Sequence, residues 1–404
     1  MIEARTGYAL STDSAEAAEL YHTALDRILG SESGAAAVLD KALALDANFA
    51  LAAAARFYVA NDTGEADALR FAEQAEKAML NASDWEREHT DILLGLIRDS
   101  GATKAKALAY IQRIPTDVLI VSQLAGILFF FDGPTKLQSV LNLFESVESA
   151  LQDDWALLAR LGFAASEAGQ FERGRELLQR AFQIRPQSLY TIHGLAHLLH
   201  DEGKPEESAA LLQNWLQQYG AGALQGQMYG HVQWHLALSE WQLGQREQAI
   251  ERYQHYCAPA TTTCGPILTL ADCGGFLLRD FVKSGQVQTL GDDVLSHIER
   301  VWGMLGHPFV ALHVAGLYAS AADLDGLARC EQALLAKSQS TNQQTGLQLV
   351  AALTAYVKGE YQQAAKVLSA LSPDARIGIG GSNVERVLVD ILEASVIAHQ
   401  SSTH

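Results

Sequence analysis

The residues most able to do chemistry in this chain are histidines between positions 193 and 235. His193, His197 and His200 are spaced i, i+4 and i+7, so on a helix they form one stripe on one face. The segment HVQWHLAL then supplies His231 and His235, again four apart. Two HxxxH pairs on neighbouring helices are a means by which helical proteins hold a divalent metal, because imidazoles one turn apart can share an ion. His193, His197, His231 and His235 are therefore candidate ligands for Zn²⁺ or Fe²⁺. Gly194, Leu195 and Ala196 follow His193, so the Glu of an HExxH metalloprotease is absent. Without an ion, the same rings serve as hydrogen-bonding groups in a packed helix contact or as the polar lining of a ligand pocket. Spacing alone leaves all three readings open. Glu167, Asp201 and Glu240 are carboxylates near enough in sequence to orient the rings.

The elements that must position these residues read as helical hairpins. The clearest unit is WALLARLGFAASEAGQFERGRELLQRAFQIRP, from Trp155 to Pro186. Its pattern is tetratricopeptide-like: a small residue (Gly162) for close helix contact, a turn at Gly169, Ala181 late in the second helix, and a terminating Pro186. A shift of 34 residues carries Gly169 onto Gly203, and later turns fall at Gly244 and Gly359. Ala42 and Ala75 mark weaker second helices towards the N-terminus. The expected fold is all-α, an α-α superhelix (solenoid) of such hairpins, since one hairpin cannot bury its apolar face alone. In that arrangement first helices line a concave groove, and the five histidines face it from helices roughly 8–10 Å apart. Three segments are expected: divergent repeats over 1–150, the histidine-bearing repeats over 151–257, and C-terminal repeats over 258–404. The stretch Cys257–Gly275 and the Gly-rich RIGIGGSNVER read as irregular.

The chain also resembles the tetratricopeptide repeat protein 38 family. That family's ordered pattern runs AFxLxExG, HAxAHxxE, HxxWHLAL, DxxSLLWR, FxxxH and GGSxxQR. The corresponding segments are GFAASEAG (Glu167), HGLAHLLH (His193, His197), HVQWHLAL (His231, His235), DCGGFLLR (Asp272, Arg279), FVALH (His313) and GGSNVER (Ser382, Arg386). The chain departs from the pattern at His200 (Glu in the family), Gly275 (Ser), Leu278 (Trp) and Glu385 (Gln). The resemblance implies no reaction. It does imply that His193, His197, His231, His235, Asp272, Arg279, His313 and Ser382 form one constellation. A guanidinium at Arg279 or Arg386 either clamps Asp272 or faces the groove to hold a carboxylate bidentately. The GIGGS stretch is either a helix cap through Ser382 or Asn383 or an anion cradle.

Composition narrows the class of function. Lys plus Arg number 29 against 47 Asp plus Glu, a formal charge of −18, which argues against nucleic acid and anionic membranes as partners. The opening residues lack a basic stretch followed by an apolar core, and no apolar run approaches bilayer length, so a cytoplasmic protein is expected. Cys257, Cys264, Cys273 and Cys330 lack metal-site spacing and read as free thiols. The first functional reading is a binding protein whose histidine-lined groove, with Glu167, His200, Asp272, Arg279, His313, Ser382 and Arg386 as further candidates, takes a small polar molecule or a peptide or protein segment. The alternative is a Zn- or Fe-dependent hydrolytic or oxidative enzyme built on the two HxxxH pairs.

Overall fold

The computed structural model describes residues 3–336 and 340–401. The described residues form twenty-two α-helices, and the β contact among them is an isolated bridge, Glu3 with Ala9. None of these helices is long and apolar enough to cross a membrane.

The repeat at Trp155 shows why this sequence makes hairpins. Asp154 caps the Trp155–Glu167 helix by accepting from the Ala156 and Leu157 amides. Gly169 turns the chain with φ +79°, as do Gly203, Gly244 and Gly359 with φ between +67° and +80° in their own repeats. A Cβ on Gly162 would lie 2.8 Å from Leu178 Cγ and 3.0 Å from Leu178 N, so only glycine lets the two helices approach this closely. Every residue of the first helix is buried, whereas the second (Phe171–Ile184) buries only Gly174, Leu177, Leu178 and Ala181. First helices are thus interior elements and second helices amphipathic covers.

The chain divides into two compact units. The first comprises 1–128, 137–198 and 210–232; the second comprises 129–136, 199–209 and 233–404. The division falls inside the Leu189–Asp201 and Tyr229–Gln242 helices, each of which runs through it unbroken. The three segments read from sequence are therefore not the compact units: 1–150 and most of 151–257 pack together. The reason lies in the first repeat, which folds back onto later helices of the same unit. The Tyr190 amide donates to Gly30 O, Arg160 donates to Leu29 O, and Ser33 donates to Gly222 O. Arg185 grips Glu32 through two hydrogen bonds of 2.6 and 2.8 Å, and Arg5 joins Asp154 to Asp26. The first unit closes on itself and encloses its inner face.

The second unit is organised on the Pro266–Ser284 helix. The irregular stretch expected up to Gly275 ends at Gly265, because Pro266 occupies the first helical position and the helix continues through both glycines. A Cβ on Gly274 would lie 2.8 Å from His313 O and 3.0 Å from His313 Cα, so this glycine serves helix packing, not a loop. Buried Lys136 donates to Gly381 O, and the Arg246–Asp280 pair closes the outer side. All four cysteines are free thiols, and burial pushes Cys273 and Cys330 each up to about 12.

Candidate metal centre

Two helices carry the histidines. Leu189–Asp201 starts after Ser188, whose hydroxyl accepts from the Thr191 amide, and it places His193 and His197 one turn apart with ring centroids 4.4 Å from each other. Tyr229–Gln242 brings His231 to 4.9 Å from the His193 ring and 6.3 Å from the His197 ring, with His235 one turn further along. One nitrogen from each of His193, His197, His231 and His235 lies within 4.8 Å of the others. Tetrahedral coordination at ~2.0–2.1 Å would hold four nitrogens about 3.4 Å apart. Binding an ion therefore requires the rings to draw together by up to about 1.4 Å (4.8 less 3.4).

The rings are buried, with exposures of 7% for His193 and 2% for each of His197, His231 and His235. The expected concave groove is thus an interior contact at this point, because the first helices that bear these rings are buried. Phe163 packs edge-on against His197 at 5.0 Å and lies 5.5 Å from His193. Burial, with the His231 ring beside it, holds His193 below the ordinary imidazole range. His193 is therefore neutral, the protonation state a ligand needs. Glu167 Oε1 stands 3.4 Å from His197 Nδ1, both groups buried. These two atoms make no hydrogen bond to each other, so the contact is electrostatic; a turn of the ring that brought Nδ1–H onto the carboxylate would fix the tautomer and direct Nε2 away from it.

The remaining candidates stand outside the four-nitrogen group. His200 stays outside the four-ring cluster, with Nδ1 3.4 Å from Asp201. Asp201 also accepts from the Asn383 amide, and Glu240 is engaged by Arg252 and Gln248, so of the three carboxylates proposed to orient the rings only Glu167 reaches a clustered histidine. Arg279 neither clamps Asp272 nor faces a groove. Its guanidinium donates to the Gly275 and Val384 carbonyls over the Trp234 ring, and burial pushes it down to about 10. Asp272 offers its backbone carbonyl to the Trp234 indole. His313 donates from Nδ1 to Phe309 O and leaves a buried Nε2 with no protein partner. Ser382 is a cap, its amide and hydroxyl both donating to Glu385 Oε2, and Arg386 donates to Gly381 O and Asn383 Oδ1.

Sequence reasoning found Glu167 but missed Arg160, Phe163 and Tyr190, which flank the cluster. Arg160, Phe163 and Glu167 form a stripe with the same 3-and-4 spacing as Tyr190, His193 and His197 thirty residues on. That repetition is the signal that would have found them. The structure sets Arg160 over the Tyr190 ring at 4.2 Å and Phe163 against both histidines. A separate buried group, His89 Nδ1 against Asp117 Oδ2 at 2.6 Å with the Tyr110 hydroxyl donating to the same oxygen, lies where Asp117 Oδ1 caps the Val118–Phe131 helix.

No family model matches the chain, and no curated protein sequence matches it. Among solved structures it is similar to the human IFIT1 dimer with m7Gppp-AAAA (14% identity, 97% of this chain and 95% of that one, TM-score 0.43). It is also similar to Cut9-Hcn1 of the APC/C (13%, 96% and 80%, 0.47) and to yeast Tom70 (11%, 96% and 83%, 0.36). What those proteins hold is theirs. The all-α repeat fold of this chain stands on its own helices.

Proposed function

We propose that this helical-repeat protein is a metal-binding protein and that His193, His197, His231 and His235 together hold one divalent transition-metal ion, Zn²⁺ being the best match. The observation that carries this reading is the meeting of four buried imidazole nitrogens within 4.8 Å of one another. An all-nitrogen set suits Zn²⁺, Cu²⁺, Ni²⁺ or iron, not Mg²⁺ or Ca²⁺, which take oxygen ligands. Non-haem iron oxygenases use two histidines and a carboxylate, whereas among the described residues no carboxylate joins the four-histidine group. Catalytic zinc sites keep one position open for water; four protein ligands fill a tetrahedron. The geometry therefore favours retention of the ion over hydrolysis. It also favours an ion over an extended peptide, because the rings are enclosed. The resemblance to the tetratricopeptide repeat protein 38 family adds the ordered motifs that bring these histidines together but no activity.

Elemental analysis of protein purified without a histidine tag tests the reading. The expected result is close to one equivalent of metal, lost on dialysis against a strong chelator and restored by Zn²⁺. Co²⁺ in its place should give the intense visible bands of a tetrahedral site. Metal below about one-tenth equivalent, with no uptake of Zn²⁺, Co²⁺ or Fe²⁺, would sink it.

A further inference from the structure

The buried His89–Asp117 pair borders a cavity that none of the four clustered histidines reaches. Its walls come from the first unit alone, and its volume is about 20 Å³. That is more than the ~10–15 Å³ one water needs, so the space admits a molecule of about two non-hydrogen atoms. Most polar side chains around it are already spent. Arg5 serves Asp154 and Asp26, Thr116 donates to Thr6 O, and the Trp85 indole donates to Ala9 O. Asp117 accepts from His89 Nδ1 at 2.6 Å, from the Tyr110 hydroxyl at 2.7 Å and from the Ile120 amide at 3.2 Å. Two groups on the wall are left over. His89 Nε2 is buried without a hydrogen-bond partner, and the buried Tyr21 hydroxyl makes no hydrogen bond among the described residues.

These leftovers state what would fill the space. With Nδ1–H given to Asp117, Nε2 of the neutral ring is an acceptor, and the carboxylate behind Nδ1 strengthens it. A phenolic hydroxyl donates as readily as it accepts. An imidazole nitrogen stripped of water and left unpaired is costly, and a ligand that donates to it recovers that cost. The aliphatic part of the wall is Leu25, Leu29, Val118 and Leu119, which cannot solvate a charge. A neutral molecule with one hydroxyl and a small apolar body meets all of these conditions.

We infer that this cavity binds a small uncharged alcohol of methanol size, with His89 Nε2 accepting its O–H, the Tyr21 hydroxyl donating to its oxygen, and the aliphatic wall taking its methyl group. The site shares no residue with the four-histidine centre, so either can fail without the other. The test uses full-length protein with ¹⁵N-labelled histidine, titrated with methanol at neutral pH. Fluoromethane serves as the isostere without a donor, and formate as a small anion. A saturable shift of the His89 Nε2 resonance is expected, with a dissociation constant on the order of 10 mM, near the ceiling for so small a ligand. Fluoromethane should bind several-fold more weakly. Tyr21→Phe should weaken methanol several-fold while the His89 Nδ1–H resonance stays in place. His89→Asn, whose side-chain amide can still donate to Asp117 but which lacks Nε2, should abolish binding at unchanged helicity. The wild-type response should be the same after chelation, whether or not the protein holds metal. The inference is overturned by the absence of a saturable shift, which would leave a cavity for water only. Equal binding of fluoromethane overturns it too, as does preference for formate, which would make the ring an imidazolium donor.

Discussion

At the scale of single residues, the strength of the proposed centre depends on groups that do not touch the ion. Glu167 stands 3.4 Å behind His197, and removing its charge makes that ring less basic. Glu167→Gln should therefore weaken Zn²⁺ affinity by about 10–100-fold in a chelator competition, with helicity unchanged. His307 shows a different use of a tautomer. Its Nε2–H donates to Phe130 O while Nδ1 accepts from the Phe309 amide, an arrangement only the neutral ring can make. Burial holds it below the ordinary imidazole value, and His297 is lowered for the same reason. Because the folded protein resists these protons and the unfolded chain accepts them at ~6.5, stability is unaffected above that pH and falls as pH drops below it. The Tm should decline between about pH 6.5 and 5, and less steeply in His307→Asn, which keeps a cap acceptor without the titration. An unchanged profile in that variant would remove His307 from the account. The spacing of the histidines was legible because helical periodicity is local. That His200 turns to Asp201, and that Arg279 serves two carbonyls, was not, because partners are set by which elements approach from afar.

At the scale of elements, two kinds of glycine do two jobs. Gly169 has a positive φ and nothing near its missing Cβ, so Gly169→Ala costs only the left-handed strain, about 1 kcal/mol. Gly274 sits mid-helix against the His313 backbone, which cannot step aside as a side chain can. Gly274→Ala should destabilise by about 1–3 kcal/mol, read from denaturant midpoints, and more than Gly169→Ala. The reverse order would refute the packing role. From the sequence, the turn glycines were found by their place between helical patterns, whereas Gly274-Gly275 closed a stretch read as irregular. A pair of glycines carries no local mark of the neighbour it admits.

At the scale of the whole chain, each unit's integrity rests on contacts made far apart in sequence. Arg185 is a long-range clasp in the first unit: it holds Glu32 bidentately, reaches Asp26, and lies over the Trp155 ring at 5.1 Å. Arg185→Ala should lower stability by about 1–2 kcal/mol, since the pair is only partly shielded from solvent. In hydrogen exchange it should speed the Tyr190 amide, whose acceptor is Gly30 O, while amides of the Pro266–Ser284 helix keep their wild-type protection. Equal protection of Tyr190 in both proteins would show that the clasp is redundant. The repeat architecture was legible from the hairpin pattern; the return of the first repeat was not, since nothing in residues 26–34 announces a partner near 185–190.

That return also imposes a timetable. Synthesis is vectorial, and Gly30 leaves the ribosome long before the amide of Tyr190 that its carbonyl accepts. At ~5–20 residues per second the wait is roughly 10–30 s. Throughout it the first hairpin has an apolar flank and three acceptor or ionic groups without their mates, while helices elsewhere in the unit complete their packing with immediate neighbours. The repeat around Gly30 is made long before the residues that complete it, and it is among the last parts of its unit to be finished.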